Sequence, residues 1–165
     1  MIFDPVGMCR ILNEEGVDYV VVGGLAAVIL GSPLPTEDID IVPSKDRANL
    51  ERLARALQRL NAMIRTDGDP VPARVDAAFL EEMPIMLNLV TDLGILDLTF
   101  QPAGPLDGFP DWSAHASTEE IADRLIVRVA ALDDIIESKR SANRPKDVRA
   151  IPYLESLRDV RDGQT

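Results

Sequence analysis

Apolar residues fall along this chain in two rhythms, and the switches between them mark the elements. Met8, Ile11 and Leu12 recur at helical spacing over residues 8–15, and Gly16 follows where a helix would stop. Val17 to Val22 is an unbroken β-branched and apolar run, which predicts a buried strand. Leu25 to Leu30 predicts a short helix closed by Gly31. Ser32-Pro33-Leu34-Pro35 must then be a loop, because each proline disfavours helix in the residue before it. Glu37 to Val42 reads as a second strand. Over residues 45–61, Leu50, Leu53, Leu57 and Leu60 trace one helical face while Glu51, Arg52, Arg55 and Arg59 take the other.

The second half is less regular. Residues 62–74 carry little periodicity, with a turn at Asp67-Gly68-Asp69-Pro70, and 75–83 suggests a helical turn. Ile85–Thr91 and Ile95–Phe100 read as strands joined by Asp92-Leu93-Gly94, a hairpin signal. Residues 102–116 look like a loop, Leu125–Val129 like a further strand, and Leu132–Ala142 and Pro145–Val160 like closing helices. Pro145 suits the first position of the last one. This order predicts an α/β or α+β fold with helices against a sheet. We read residues 1–165 as one domain, with a core over 15–130 and C-terminal helices over 131–160.

Composition narrows the class. In 165 residues, a hydrophobic content of 46% suffices for a core although only 4% of residues are aromatic. Only Arg161 to Thr165 has the look of a disordered tail. Tyr19 to Leu30, the longest apolar stretch, is too short to span a bilayer, and Asp4, Pro5 and Arg10 leave no signal-peptide core. A cytoplasmic location with no membrane partner is expected. Cys9 is the only cysteine, so no disulfide or zinc cluster forms within the chain. A net charge of −11 argues against a dedicated nucleic-acid-binding module. A local patch runs the other way: Lys139, Arg140, Arg144, Lys146 and Arg149 lie within eleven residues against one acid, Asp147.

Candidate chemistry gathers at two places. Val20-Val21-Val22 ends in Gly23-Gly24, a tight backbone turn whose free N–H groups suit a phosphate. Asp38 and Asp40 share one face of their strand, opposite Ile39 and Ile41, and two such carboxylates repel unless a cation bridges them. Hard oxygen ligands of this kind suit Mg²⁺. Asp97 faces away from Leu96, Leu98 and Phe100, and if its strand neighbours the second one, the three acids converge. Each acid alone reads as an edge-strand residue paired with an arginine or left in water; the set reads as a metal site. Thr36 either bonds a phosphate or caps the turn before the acid pair. Lys139 lies on the apolar face of its helix, by its spacing from Leu132, Ile135 and Ile136. Two readings are open for it: snorkelling to water, or a cation aimed at triphosphate oxygens. Arg140, Arg144, Lys146 and Arg149 either line the same mouth or form a solvated face, with Asp147 paired to one of them. His115 reads as a surface residue and Trp112 as a plug at the edge of the core.

Gly23-Gly24, Thr36-Glu37-Asp38-Ile39-Asp40-Ile41 and Leu96-Asp97-Leu98 together resemble the signature of the nucleotidyltransferase (polymerase-β-like) superfamily. The segment from Leu132 to Asp147 is similar to the C-terminal motif of its AbiE-type toxin branch, which includes the MenAT-type mycobacterial toxins. The resemblance spans about residues 15 to 157. It implies a mixed sheet flanked by helices and two Mg²⁺ ions held by Asp38, Asp40 and Asp97. Lys139 and Asp147 match a lysine and a downstream acid of the branch, with Lys139 on the nucleotide phosphates. It further implies nucleotide transfer from NTP to the 3′ end of tRNA, and an antitoxin partner. The pair Gly23-Gly24 departs from the Gly-Ser of many members, so one hydroxyl of the phosphate cradle is missing. The acidic balance suits a protein or small-molecule acceptor, the enzymatic alternative; a non-catalytic nucleotide- or partner-binding member is the other.

Overall fold

Asp4 opens the first helix, α1 (Pro5–Glu14): its carboxylate accepts the Gly7 N–H at 2.8 Å, and Pro5 occupies the first turn where its missing N–H costs nothing. Gly16, at a φ of +75°, turns the chain out of it. Strand β1 (Tyr19–Val22) follows, buried at every position, then α2 (Gly23–Ile29), β2 (Asp38–Pro43) and α3 (Arg47–Arg59). A two-residue strand β3 (Met63–Ile64) and a short helix α4 (Ala77–Glu81) lead to the hairpin β4 (Met86–Thr91) and β5 (Gly94–Thr99). After α5 (Gly108–Ala114) come β6 (Ser117–Ala122), β7 (Leu125–Val129), α6 (Leu132–Ala142) and α7 (Pro145–Asp162). These elements are those of a computed structural model that describes residues 2–163.

The strands form one mixed sheet in the order β3–β4–β5–β2–β1–β7–β6. β2 runs parallel to β5 and β1 parallel to β7, while β1–β2, β3–β4, β4–β5 and β6–β7 are antiparallel. The mixed sheet flanked by helices expected from the sequence is therefore the architecture observed. Register is set by burial. Ile39, Ile41, Leu96 and Leu98 are fully buried, and each contributes about 1.5–3 kcal/mol. A slip of one residue would exchange them for aspartates, so the acids are locked onto the opposite face.

The structure departs from the sequence reading in five places. Gly23 and Gly24 form the first turn of α2 rather than a separate turn ahead of a helix that starts at Leu25. Residues 102–116 contain α5, whose one fully packed side chain, Trp112, holds it against the sheet. β6 has no counterpart in the sequence pattern, because Ser117-Thr118-Glu119-Glu120 is an exposed edge without apolar alternation. β3 is a two-residue strand inside the weakly patterned stretch. Arg161 and Asp162 continue α7, and the Arg161 guanidinium donates to the Leu30 carbonyl at 2.8 Å, so the expected disordered tail does not begin there. Residues 164 and 165 lie outside the described residues. Among those described, no helix is long and apolar enough to cross a membrane.

Candidate active site

Cross-strand neighbours project to the same face of a sheet, and the register of this one lines up a polar row. Val22 on β1 faces Asp40 on β2, Asp40 faces Asp97 on β5, and Asp97 faces Asn88 on β4. Arg65 continues the row just past β3, its N–H donating to the Asn88 carbonyl at 3.0 Å. Asp38, two residues before Asp40, shares that face. Asp97 therefore stands beside Asp40 although 57 residues separate them in sequence.

The electrostatics follow from crowding. Burial, the Asp38 and Asp97 charges and a hydrogen bond with the Asp97 carboxylate push Asp40 up to about 7, with Lys146 acting the other way. Burial raises Asp97 too, opposed by the Arg65 guanidinium and reinforced by Asp38. Both acids therefore hold a proton more readily than an ordinary carboxylate. The Arg65 Nη2 lies 3.5 Å from Asp97 Oδ1. Between them the Asn88 Oδ1 is buried and has no hydrogen-bond partner.

The glycine turn abuts these acids. Gly23 has a φ of +66°, and a Cβ there would run into the Asp40 carboxylate. A Cβ on Gly24 would come within 2.9 Å of the Thr36 hydroxyl. That hydroxyl in turn donates to the Asp38 carbonyl at 3.2 Å and lies 3.5 Å from its carboxylate. Both glycines thus keep backbone N–H groups of the first turn of α2 close to the acid pair, with no side-chain cap taking them.

The basic patch divides. Lys139 is neither out in water nor against the acid pair: its ammonium lies 3.5 Å from the fully buried Asp147. Asp147 also accepts from Arg144 Nε at 2.7 Å and, through its other oxygen, from Nη2 at 3.2 Å, and it caps the start of α7. Burial works to raise Asp147, but these donors hold its carboxyl below the usual carboxylate range. Lys146 is exposed, and its charge acts on both Asp40 and Asp97; that of Arg144 reaches Asp40. Arg140 pairs with Glu155 on the outside of the α6–α7 hairpin. His115 pairs with Asp134 at 2.9 Å near the surface.

Three carboxylates crowded on one face, two of them with raised proton affinity, are the donor set a hard divalent cation prefers, and the missing Cβ at Gly23 is what makes room there for the Asp40 carboxylate. Among the described residues no three His, Cys, Asp or Glu side chains already enclose a cation-sized position. Asp97 must part from Arg65 to hold one. Asp38, Asp40 and Asp97 fit a metal in chemistry, with a rearrangement of side chains. Sequence reasoning missed Arg65 and Asn88. The signal for Asn88 was present: the turn at Asp92-Leu93 pairs Thr91 with Gly94 and so sets residue 88 opposite residue 97.

No protein-family model matches the sequence, and no curated protein matches it either. The fold does have relatives among solved structures. The lincosamide antibiotic adenylyltransferase LnuA, in its lincomycin-bound crystal structure, superposes with a TM-score of 0.61 over 95% of this chain and 99% of that one, at 17% identity. An antigenic nucleotidyltransferase-like protein from Paracoccidioides brasiliensis matches with a TM-score of 0.49 over 92% of this chain and 73% of its own, at 18% identity. The likeness to LnuA establishes the nucleotidyltransferase fold for this chain.

Proposed function

We propose that this chain is a Mg²⁺-dependent nucleotidyltransferase that moves a nucleotidyl group from an NTP to a hydroxyl acceptor. The observation that carries the reading is the register pairing of Asp40 with Asp97 beside the Gly23 turn, on a fold shared with an adenylyltransferase. Asp38, Asp40 and Asp97 hold the metal, which when bound supplies the Lewis-acid charge that polarises the α-phosphate. The Gly23 and Gly24 N–H groups, Thr36, Arg144 and Lys146 bind and orient the triphosphate. Lys139 adds a cation on the same side, steadied by Asp147. Asp97 takes the proton of the acceptor hydroxyl as its oxygen bonds to the α-phosphorus. The α–β phosphoanhydride bond breaks and pyrophosphate leaves.

Two acceptors remain in play, each with its own support. The similarity of Leu132–Asp147 to the toxin branch favours the 3′ end of tRNA and an antitoxin partner in the cytoplasm. The charge of −11 and the nearly full-length match to a lincosamide adenylyltransferase favour a small molecule. Incubation of the purified protein with each labelled NTP and, separately, cellular RNA, protein and metabolite fractions separates them. Label should enter one fraction, and Asp38→Ala or Asp40→Ala should abolish it while the fold persists. Full transfer by either variant would overturn the assignment. A small co-transcribed regulator that blocks labelling of tRNA would identify the toxin setting.

A further inference from the structure

Among the described residues, Arg65 makes the one ion pair to any of the three acids. Its backbone sits beside Asn88, two strands from Asp97, so its side chain must cross roughly 9–10 Å of sheet. A long side chain is needed for that reach, and the short Asn88 beneath leaves it room. The contact is a single one at 3.5 Å from a guanidinium 38% exposed, so it can be given up without unfolding anything. It falls on a carboxylate oxygen of Asp97, one of the acids read as metal ligands.

We propose that Arg65 positions Asp97 in the ligand-free protein and competes with the divalent cation for it, so that the cation is held firmly only together with a nucleotide. This rests on the reading of Asp38, Asp40 and Asp97 as metal ligands. Without nucleotide, Arg65 on Asp97 and Lys146 nearby already answer part of the acids' charge, and free cation gains little by entering. A triphosphate brings several negative charges of its own, which draw the cation in and offset the guanidinium that it displaces. The metal would enter as the NTP complex rather than before it.

Competition and a merely structural role differ in the sign of one measurement. Free Mn²⁺, followed by its electron paramagnetic resonance signal, is titrated against the full chain without nucleotide and again with a non-hydrolysable ATP analogue. Without nucleotide, Arg65→Met should bind Mn²⁺ about tenfold more tightly than wild type, which is about 1.4 kcal/mol. Arg65→Lys, which keeps the charge, should stay nearer wild type. Arg140→Met, a charge deletion on the outer face, should match wild type. With the analogue present the advantage of Arg65→Met should shrink. If Arg65→Met does not fold, Arg65→Gln removes the same charge while keeping a hydrogen-bond donor. Equal or weaker Mn²⁺ binding by the folded charge-deleted variant overturns the proposal, as does absence of Mn²⁺ binding in every form. Failure of wild type to transfer from any NTP would instead overturn the proposed reaction and leave the Mn²⁺ comparison standing.

Discussion

Asp40→Asn tests whether the acid row stores repulsion that a ligand releases. A half-buried acid pushed to about 7 from an ordinary 3.8 takes up a proton in the folded state over a range where the unfolded chain has lost it. Stability therefore falls as pH rises from about 4 to 7, and the loss is complete above the folded value. The separation corresponds to a ceiling on the order of 4 kcal/mol. The asparagine of this variant resembles the protonated acid in shape and can donate its amide to Asp97, so it keeps the hydrogen bond without the charge. At pH 8 the metal-free variant should melt roughly 3–8 °C above wild type, reflecting about 1–3 kcal/mol of relieved repulsion. At pH 4 the two should come within about 2 °C of each other, because wild-type Asp40 is then largely protonated in both the folded and the unfolded chain. Mg²⁺ with a non-hydrolysable ATP analogue should stabilise wild type and close the pH 8 gap, by mass action on the folded state. Thermal scans at the two pH values, with and without that pair, are sufficient. The same difference at both pH values, or a variant less stable than wild type at pH 8, would refute the reasoning.

Other substitutions probe the rest of the site. Gly23→Ala should cost about 2–3 kcal/mol and transfer activity, since it strains a φ of +66° and drives a methyl into Asp40; Gly24→Ala meets only the rotatable Thr36 side chain and should cost less, and urea titrations showing equal losses would sink this. Lys139→Met should change stability by only about 1 kcal/mol, because Arg144 still satisfies Asp147, yet weaken nucleotide binding or transfer about tenfold; kinetics equal to wild type would remove Lys139 from the site. Asp147→Asn should destabilise by about 2–3 kcal/mol at neutral pH by leaving Arg144 and Lys139 without their buried anion. The wild-type advantage should vanish as pH falls below the ordinary carboxylate range, because the folded-state proton affinity of Asp147 is depressed; a urea midpoint difference that persists at low pH would contradict it.

How far this site could be read from the sequence depended on how each residue is supported. Asp38 and Asp40 were legible because period-two alternation within one strand assigns their face without reference to any other element. Asp97 was legible because a carboxylate inside Ile-Leu-Asp-Leu-Thr-Phe is costly to bury without a partner. The paired hairpin and both closing helices were legible for the same local reason: their apolar spacing is complete within the element. What failed was whatever owes its form to neighbours. β6 exists because β7 offers it an edge, and its own residues are polar and largely exposed. α5 is held by one tryptophan in a stretch whose glycines and prolines look like loop.

The same distinction separates the two halves of the polar row. Asn88 on its own strand is an ordinary half-buried polar position, and Arg65 lies in a stretch without pattern. Each acquires meaning only from register, Asn88 through the two-residue turn and Arg65 through a two-residue strand beside it. That asymmetry bears on function. The three acids proposed to hold the metal sit on strands packed into the sheet, where sequence rhythm reveals them. A residue that must release its partner is better carried at the frayed end of a short edge strand, where local structure costs little to disturb. Arg65 has that placement: close enough to pair with Asp97, and just past the end of the two-residue edge strand β3.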